Sequence, residues 1–71
     1  MGNPSVSGKD VVRALGKVGF SVVSQRGSHV KMKNAAGRTV IVPMHSEIAT
    51  GTLRSILRQA GLTMAEFLEL L

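Results

Sequence analysis

Apolar residues recur with a helical period near the start of the chain. Ser7 is a candidate N-cap, Asp10 lies three residues later, where a carboxylate favours the positive end of the helix dipole, and Gly19 is placed to end the helix as a left-handed residue. The apolar positions with helical spacing are Val11, Val12, Leu15 and Val18. The opposite face carries a basic stripe of Lys9, Arg13 and Lys17. The pattern predicts an amphipathic helix with one cationic side.

The middle of the chain alternates and is rich in β-branched residues, which predicts strands. The predicted strands are Phe20–Gln25, His29–Lys33 and Arg38–Val42. Gly27 supplies the first turn and a loop ending in Gly37 the second, while Pro43, which cannot donate to a ladder, closes the third strand. Val30 and Met32 share one side of the second strand. The residues on its other side are His29, Lys31 and Lys33. These segments predict an antiparallel meander with one polar, basic face.

Two helices are predicted after a loop at residues 43–51. Thr50 or Thr52 is a candidate N-cap for the first of them, and Gly61 ends it. Its predicted buried stripe consists of Leu53, Ile56, Leu57 and Ala60. A different face of the same helix carries Arg54 and Arg58.

A capping box from Thr63 to Glu66 opens a short last helix. Its apolar residues, which either complete the core or dock a partner, are Phe67, Leu68, Leu70 and Leu71. The element order is α-β-β-β-α with a short extra C-terminal helix. This order predicts an α+β fold, a two-layer sandwich with helices on one face of a sheet and water on the other.

The length of 71 residues predicts one domain, at residues 7–71, after a disordered start at residues 1–6. The chain has no cysteine, which excludes disulfides and thiolate chemistry. No apolar run approaches the ~20 residues of a membrane span, and the N-terminus lacks the basic and apolar regions of a signal peptide. A cytoplasmic protein without a membrane segment is expected.

Charge narrows the possible functions. Nine Lys/Arg residues against four Asp/Glu residues give a net charge of +5. Because Glu66 and Glu69 lie near the end, residues 1–63 carry nine basic and two acidic side chains, a net charge of +7. Such a field attracts polyanions, and nucleic acid is the leading candidate. Phe20 and Phe67 are the only aromatic residues, so recognition of backbone and shape is favoured over base stacking. A merely solvated basic surface is the alternative.

Both histidines fall beside predicted strand ends. In a three-stranded meander the second strand starts near where the third ends, so His29 and His45 are expected close to each other. Two such groups suit metal-free RNA cleavage, in which one imidazole takes the proton of a ribose 2′-hydroxyl and a second group protonates the leaving 5′-oxygen. Lysine and arginine would neutralise the developing phosphorane. The candidate phosphate contacts are Arg26, Lys31 and Lys33, with Lys9, Arg13 and Lys17 extending the basic track.

Less specific interpretations stand beside this one. A histidine at a strand end is often only a polar surface residue, and spacing alone favours that interpretation for His45. Zinc is not expected, because two histidines sixteen positions apart with only Glu47 close by are too few ligands. Ser28 forms the turn or contacts phosphate, since strand neighbours point to opposite faces and Ser28 does not pair with His29 as a nucleophile. The chain could also be a non-catalytic RNA-binding module or a protein that docks an acidic partner.

Four ordered elements carry a resemblance to a known family. They are Ser7–Leu15 followed by Gly19-Phe20, Arg26-Gly27-Ser28-His29, Gly37-Arg38 with Val42-Pro43-Met44-His45, and Gly51–Leu62. Together they resemble the HicA-type toxins, also called the YcfA-like family, over about residues 7–71. The chain departs from many members at Val30, where they have a second histidine or an aromatic residue after the Gly-Ser-His motif.

The resemblance implies a fold similar to double-stranded-RNA-binding domains. It also implies a toxin that cleaves mRNA without a metal or other cofactor, blocks translation and is neutralised by a HicB-type antitoxin. The family's catalytic histidine lies in the Gly-Ser-His motif, so this role carries over to His29. The histidine of the Val-Pro-x-His motif carries over to His45. The resemblance thus implies an endoribonuclease of a type II toxin–antitoxin pair.

Overall fold

The computed structural model describes residues 5–71, which form three helices and three strands. The elements are α1 (Gly8–Gly16), β1 (Ser21–Arg26), β2 (His29–Lys33), β3 (Thr39–Pro43), α2 (Thr50–Ala60) and α3 (Met64–Leu70). The strands form one antiparallel sheet in the order β1-β2-β3. The helices cover one face of β2 and β3, whose other face is open to solvent, whereas every residue of the edge strand β1 is exposed. The predicted α+β sandwich is confirmed, with the α-β-β-β-α arrangement of a double-stranded-RNA-binding domain.

The hydrophobic core lies between the sheet and the helices. Its residues from β2 and β3 are Val30, Met32, Val40 and Val42. Its residues from α2 are the predicted stripe of Leu53, Ile56, Leu57 and Ala60. The buried residues of α1 are Gly8, Val11, Ala14 and Leu15. Alternation in the strands and the 3.6-residue period in the helices therefore meet in one apolar layer.

Two details of the first helix differ from the prediction. Val18 is 39% exposed because it lies in the turn after α1, where Phe20 donates its N–H to the Leu15 carbonyl at 3.1 Å and fills the core instead. Val6, which the sequence assigned to a disordered start, is buried, and its carbonyl accepts a 2.7 Å hydrogen bond from the N–H of Ile48. Packing therefore begins before the N-cap. Residues 1–4 lie outside the described part of the chain.

Reciprocal capping boxes start the first and last helices. The box at Thr63 and the cap at Ser7 were predicted, and the return bond to Asp10 completes a second box at Ser7. The Ser7 hydroxyl accepts from the N–H of Asp10, and the Asp10 carboxylate accepts from the N–H of Ser7, both at 3.1 Å. Thr63 and Glu66 exchange the same two bonds at 3.1 and 2.8 Å. These hydrogen bonds to the charged carboxylates hold the pKa values of Asp10 and Glu66 below their ordinary values.

The start of α2 corrects another expectation. Its N-cap is Ala49, which has no side-chain acceptor, and Thr50 is already the first helical residue. A threonine cap was predicted from residue type alone, but the cap position is set by where the buried stripe begins. Gly61 ends α2 in a left-handed conformation, with the Leu62 N–H bonded to the Leu57 carbonyl at 2.9 Å, as predicted.

The last helix has both an interior and an exterior apolar side. Phe67 is fully buried and joins the core, and Leu70 packs against it. Leu68 and Leu71 remain 47% and 45% exposed. Phe67 and Leu70 therefore complete the core, and docking of a partner through Leu68 and Leu71 stays a prediction. Within residues 5–71, no helix has the length and apolar character needed to cross a lipid bilayer.

Candidate functional site

The position of His29 follows from the two-residue turn Gly27-Ser28. Arg26 and His29 are partners across β1 and β2, so this turn joins them directly. Gly27 has a φ of +58° and Ser28 does not have a positive φ, which is the pattern of a type II′ hairpin turn with glycine at the first central position. Turn type and loop length fix the hairpin register, and this register makes His29 the first residue of β2.

The open face of the sheet brings His29 together with three of the predicted phosphate contacts. Residues of β2 alternate between exposed and buried, so His29, Lys31 and Lys33 share the solvent face. They follow one another at about 7 Å intervals along the strand. Arg26 lies directly opposite His29 on β1, where paired Cβ atoms are about 5 Å apart. The result is a line of three β2 side chains with a guanidinium beside the histidine.

The segment after β3 brings His45 to the same end of the sheet. Pro43, the last residue of β3, is the register partner of His29. Beyond it, the N–H of Met44 donates to the Ser28 carbonyl at 2.6 Å. These two contacts, made by Pro43 and Met44, hold the chain just before His45 against the turn that precedes His29. The side chain of His45 is exposed. Both histidines lie at one end of the sheet, as the meander topology predicted.

Gly8 positions this segment, a role that sequence reasoning missed. Its N–H donates to the His45 carbonyl at 2.9 Å, so the first turn of α1 lies against the chain after β3. A Cβ on Gly8 would overlap the Pro43 carbonyl oxygen and stand 2.7 Å from the Met44 Cα. The only signal in the sequence is a glycine at the first helical position after a good N-cap. Glycine also occurs at the first helical position where it has no packing role, so this signal does not predict the contact with the chain after β3.

Substitution of Gly8 by alanine is therefore expected to destabilise the fold by about 1–3 kcal/mol, because the added methyl meets backbone atoms. The matched control is Gly16→Ala at the other end of α1, where a Cβ meets nothing within 4 Å. This variant is expected to gain about 0.5–1 kcal/mol from helix propensity. Urea unfolding of both variants measures the difference. Equal free energies of unfolding would contradict the close approach of α1 to β3.

The electrostatic character of the site is uniformly positive. No acidic residue occurs between Asp10 and Glu47, so the whole sheet is free of carboxylates. The basic residues in this interval are Arg13, Lys17, Arg26, Lys31, Lys33 and Arg38. Within residues 5–71, no group of three or more His, Asp or Glu side chains is placed to share a metal ion. The groups available for catalysis or binding at this end of the sheet are therefore two imidazoles and several positively charged side chains.

The basic stripe of α1 does not join this face. Its three residues lie opposite the buried side of the helix, so they point away from the sheet. Arg13 pairs with Asp10 at 2.8 Å, and Lys17 donates to the Leu70 carbonyl at 2.7 Å, which ties α1 to the end of α3. Lys9 lies beside Gly8, near the end of the sheet that holds His45. The structure therefore separates Arg13 and Lys17 from His29 by a full layer.

Fold and site together define a small α+β domain with an open cationic sheet face and two histidines at one end of the sheet. A protein-family model described as the HicA toxin of bacterial toxin–antitoxin systems matches residues 8–62. The chain therefore belongs to the HicA toxin family, as the four sequence elements predicted, and an antitoxin partner is implied. The matched segment contains Gly8, both histidines and α2, and it ends before α3. No curated protein is significantly similar to the chain.

Val30, the position at which the sequence resemblance indicates a departure from many HicA-type toxins, is buried in the core. The departure therefore lies on the inner side of β2, and the exposed face around His29 is unaffected by it.

Proposed function

We propose that this toxin is a metal-independent endoribonuclease that cleaves mRNA and thereby blocks translation. The observation that carries the proposal is the exposure of His29 at the start of β2, on the same open face as Lys31 and Lys33 and opposite Arg26. A histidine in this place is free to meet a ribose, and the cations around it bind the phosphates on either side. A structural histidine would have no need of such surroundings.

The proposed chemistry is a transesterification within one nucleotide. His29 acts as the general base or acid, and in the first role it takes the proton of the 2′-hydroxyl while the 2′-oxygen attacks the adjacent phosphorus. The bond from phosphorus to the 5′-oxygen then breaks, and a second group protonates that oxygen. The products are a 2′,3′-cyclic phosphate and a 5′-hydroxyl. Arg26 and Lys31 stabilise the extra negative charge of the phosphorane.

His45 is the proposed complementary proton donor. The backbone contacts of Gly8 and Ser28 hold its segment at the correct end of the sheet. Ser28, exposed in the turn between Arg26 and His29, is proposed to contact a phosphate oxygen. Lys9, Arg13 and Lys17 are proposed to contribute to long-range attraction of RNA, because they lie on the helical layer.

The experiment that tests the proposal is incubation of purified protein with a defined RNA in EDTA. We expect cleavage to continue in the chelator and to leave cyclic phosphate ends, which mass spectrometry of the fragments identifies. Intact RNA in the presence of bound protein would overturn the proposal. It would favour a non-catalytic module that grips phosphates and 2′-hydroxyls by shape.

The partner proposed for this site is a HicB-type antitoxin that covers His29. The open face of the sheet is cationic and uncovered within residues 5–71, so an acidic antitoxin surface is complementary to it. A complex in which His29 stayed open to solvent would contradict inhibition by coverage of the active site.

A further inference from the structure

A groove on the helical layer lies between α2 and α3, away from the open sheet face. One end of it is a cavity of about 300 Å³ that Val6, Ile48, Leu53 and Met64 line with apolar atoms, together with Leu68. The other end continues along α2 past Leu57 to Leu62, with Met64 shared between the two. The two cavities share Arg54 and Met64 in their linings, and together we call them the α2–α3 groove. The family match ends at residue 62, so the α3 wall is a feature of this chain outside the matched segment.

Two arginines flank the α2–α3 groove. Arg54 borders both of its ends and Arg58 borders the second, and both are exposed. The one ion pair within residues 5–71 joins Asp10 to Arg13, so neither groove arginine is paired there. Glu47 lines the far end of the first cavity, at the start of α2. The groove therefore has an apolar floor, a cationic rim along α2 and a single carboxylate at one end.

We propose that the α2–α3 groove binds an acidic, amphipathic segment of the antitoxin, at a second contact remote from His29. An apolar floor with a rim of arginines matches a helix that has aliphatic residues on one side and carboxylates on the other. The eleven residues of α2 span about 16 Å, the length of three helical turns. RNA is a poorer match, because most of the lining is aliphatic, whereas recognition of an RNA backbone needs polar or charged partners for its phosphates and 2′-hydroxyls.

The two contacts would act together. His29 lies on the sheet layer and the groove on the helical layer, so one antitoxin chain must extend around an edge of the domain to reach both. Binding at the first contact raises the effective concentration of the second segment, which increases affinity without any new contact at the site of chemistry. Loss of the groove contact would weaken the complex and leave the proposed cleavage intact.

A charge-matched pair of double variants tests the groove. Arg54→Gln with Arg58→Gln removes two positive charges from the rim, and Ser55→Glu with Gln59→Glu adds two negative charges on the opposite flank of α2. Both lower the net charge by two. We expect the arginine variant to raise the Kd of full-length toxin for purified cognate antitoxin at least about tenfold, because it removes both positive charges that would face the carboxylates of the bound segment. The control should change it less than about threefold.

Leu68→Ala tests the apolar floor in the same titration. Leu68 is half exposed, so its truncation should leave the fold intact while it also weakens antitoxin binding. Equal effects of the two double variants, or none in either, would overturn the proposal. A loss of RNA affinity without loss of antitoxin affinity would identify a nucleic-acid surface instead, and a shift in sedimentation of the free toxin would identify self-association.

The outcome does not depend on RNA cleavage. Antitoxin affinity is measured directly, so it reports on the groove even if the protein proves to be a non-catalytic RNA binder. Synthetic peptides that tile the antitoxin sequence supply a second probe. We expect one acidic peptide to bind the wild-type toxin, to lose binding to the arginine variant and to leave cleavage of RNA unchanged. A peptide that blocks cleavage would belong to the sheet face instead.

Discussion

Replacement of His29 by alanine is expected to reduce RNA cleavage by about a hundredfold to ten-thousandfold, the usual contribution of one general acid–base group. The imidazole is on the solvent face and makes no hydrogen bond within residues 5–71, so its loss removes chemistry without removing packing. The initial cleavage rate of a defined transcript at saturating protein measures the effect. Growth arrest in cells that lack the antitoxin should disappear with it.

The RNA affinity of the same variant distinguishes a role of His29 in cleavage from a role in attracting RNA. His29→Ala should keep its RNA affinity within about threefold, because the lysines and arginines around this one imidazole supply most of the phosphate binding. The control is Lys33→Ala, two residues beyond Lys31 on the same face. It should weaken RNA binding and lower the salt slope by about one, with the maximal rate retained. Wild-type growth arrest and mRNA loss in His29→Ala would defeat the catalytic assignment.

The sequence predicted those parts of the site that depend on local rules. Gly27 and Ser28 define a two-residue hairpin, and strand alternation then places His29 and Lys31 on one face. The capping boxes and Gly61, which ends α2, are equally local, because each involves residues within about one helical turn. Gly19 was predicted to end α1, but that helix ends at Gly16 with Lys17 as its C-cap. The family elements contain these same signals.

Other parts depend on how distant elements approach each other, and no local pattern reports that distance. Gly8 matters because α1 crosses the end of β3, and its importance appears only when the Pro43 carbonyl is in place. The basic stripe of α1 was expected to extend the RNA track, but the helix packs its apolar side on the sheet. The stripe must therefore face the other way, and Lys17 is used to hold α3. A shared charge sign in the sequence does not establish a shared surface.

The α2–α3 groove is another feature that depends on how separate elements pack together. Arg54 and Leu57 lie three residues apart on α2, whereas Leu68 lies on α3, so the groove depends on how α3 packs against α2. Gly61 ends α2 in a left-handed conformation, and Phe67 packs α3 onto the core. The proposed antitoxin contact thus depends on the same buried ring that anchors the last helix.

Replacement of Phe67 by alanine is expected to destabilise the protein by about 3–5 kcal/mol, the usual cost of removing a fully buried phenylalanine. Phe67 is 0% exposed and is the largest fully buried side chain. A domain of this size has a total stability of about 5 kcal/mol, so the variant should retain only about 0–2 kcal/mol. Urea titration followed by circular dichroism at 25 °C measures the change.

Leu68→Ala is the neighbouring control, because Leu68 is half exposed and should cost less than about 1 kcal/mol. If Phe67→Ala does not fold, the free energy of unfolding is measured for Phe67→Leu instead. It retains an apolar side chain and should lower the free energy of unfolding by about 1–2 kcal/mol. A loss below about 0.5 kcal/mol in Phe67→Leu, together with less than about 1 kcal/mol in Phe67→Ala, would mean that α3 is not packed on the core in solution. In that case the α3 wall of the groove, and with it the second antitoxin contact, would have no structural basis.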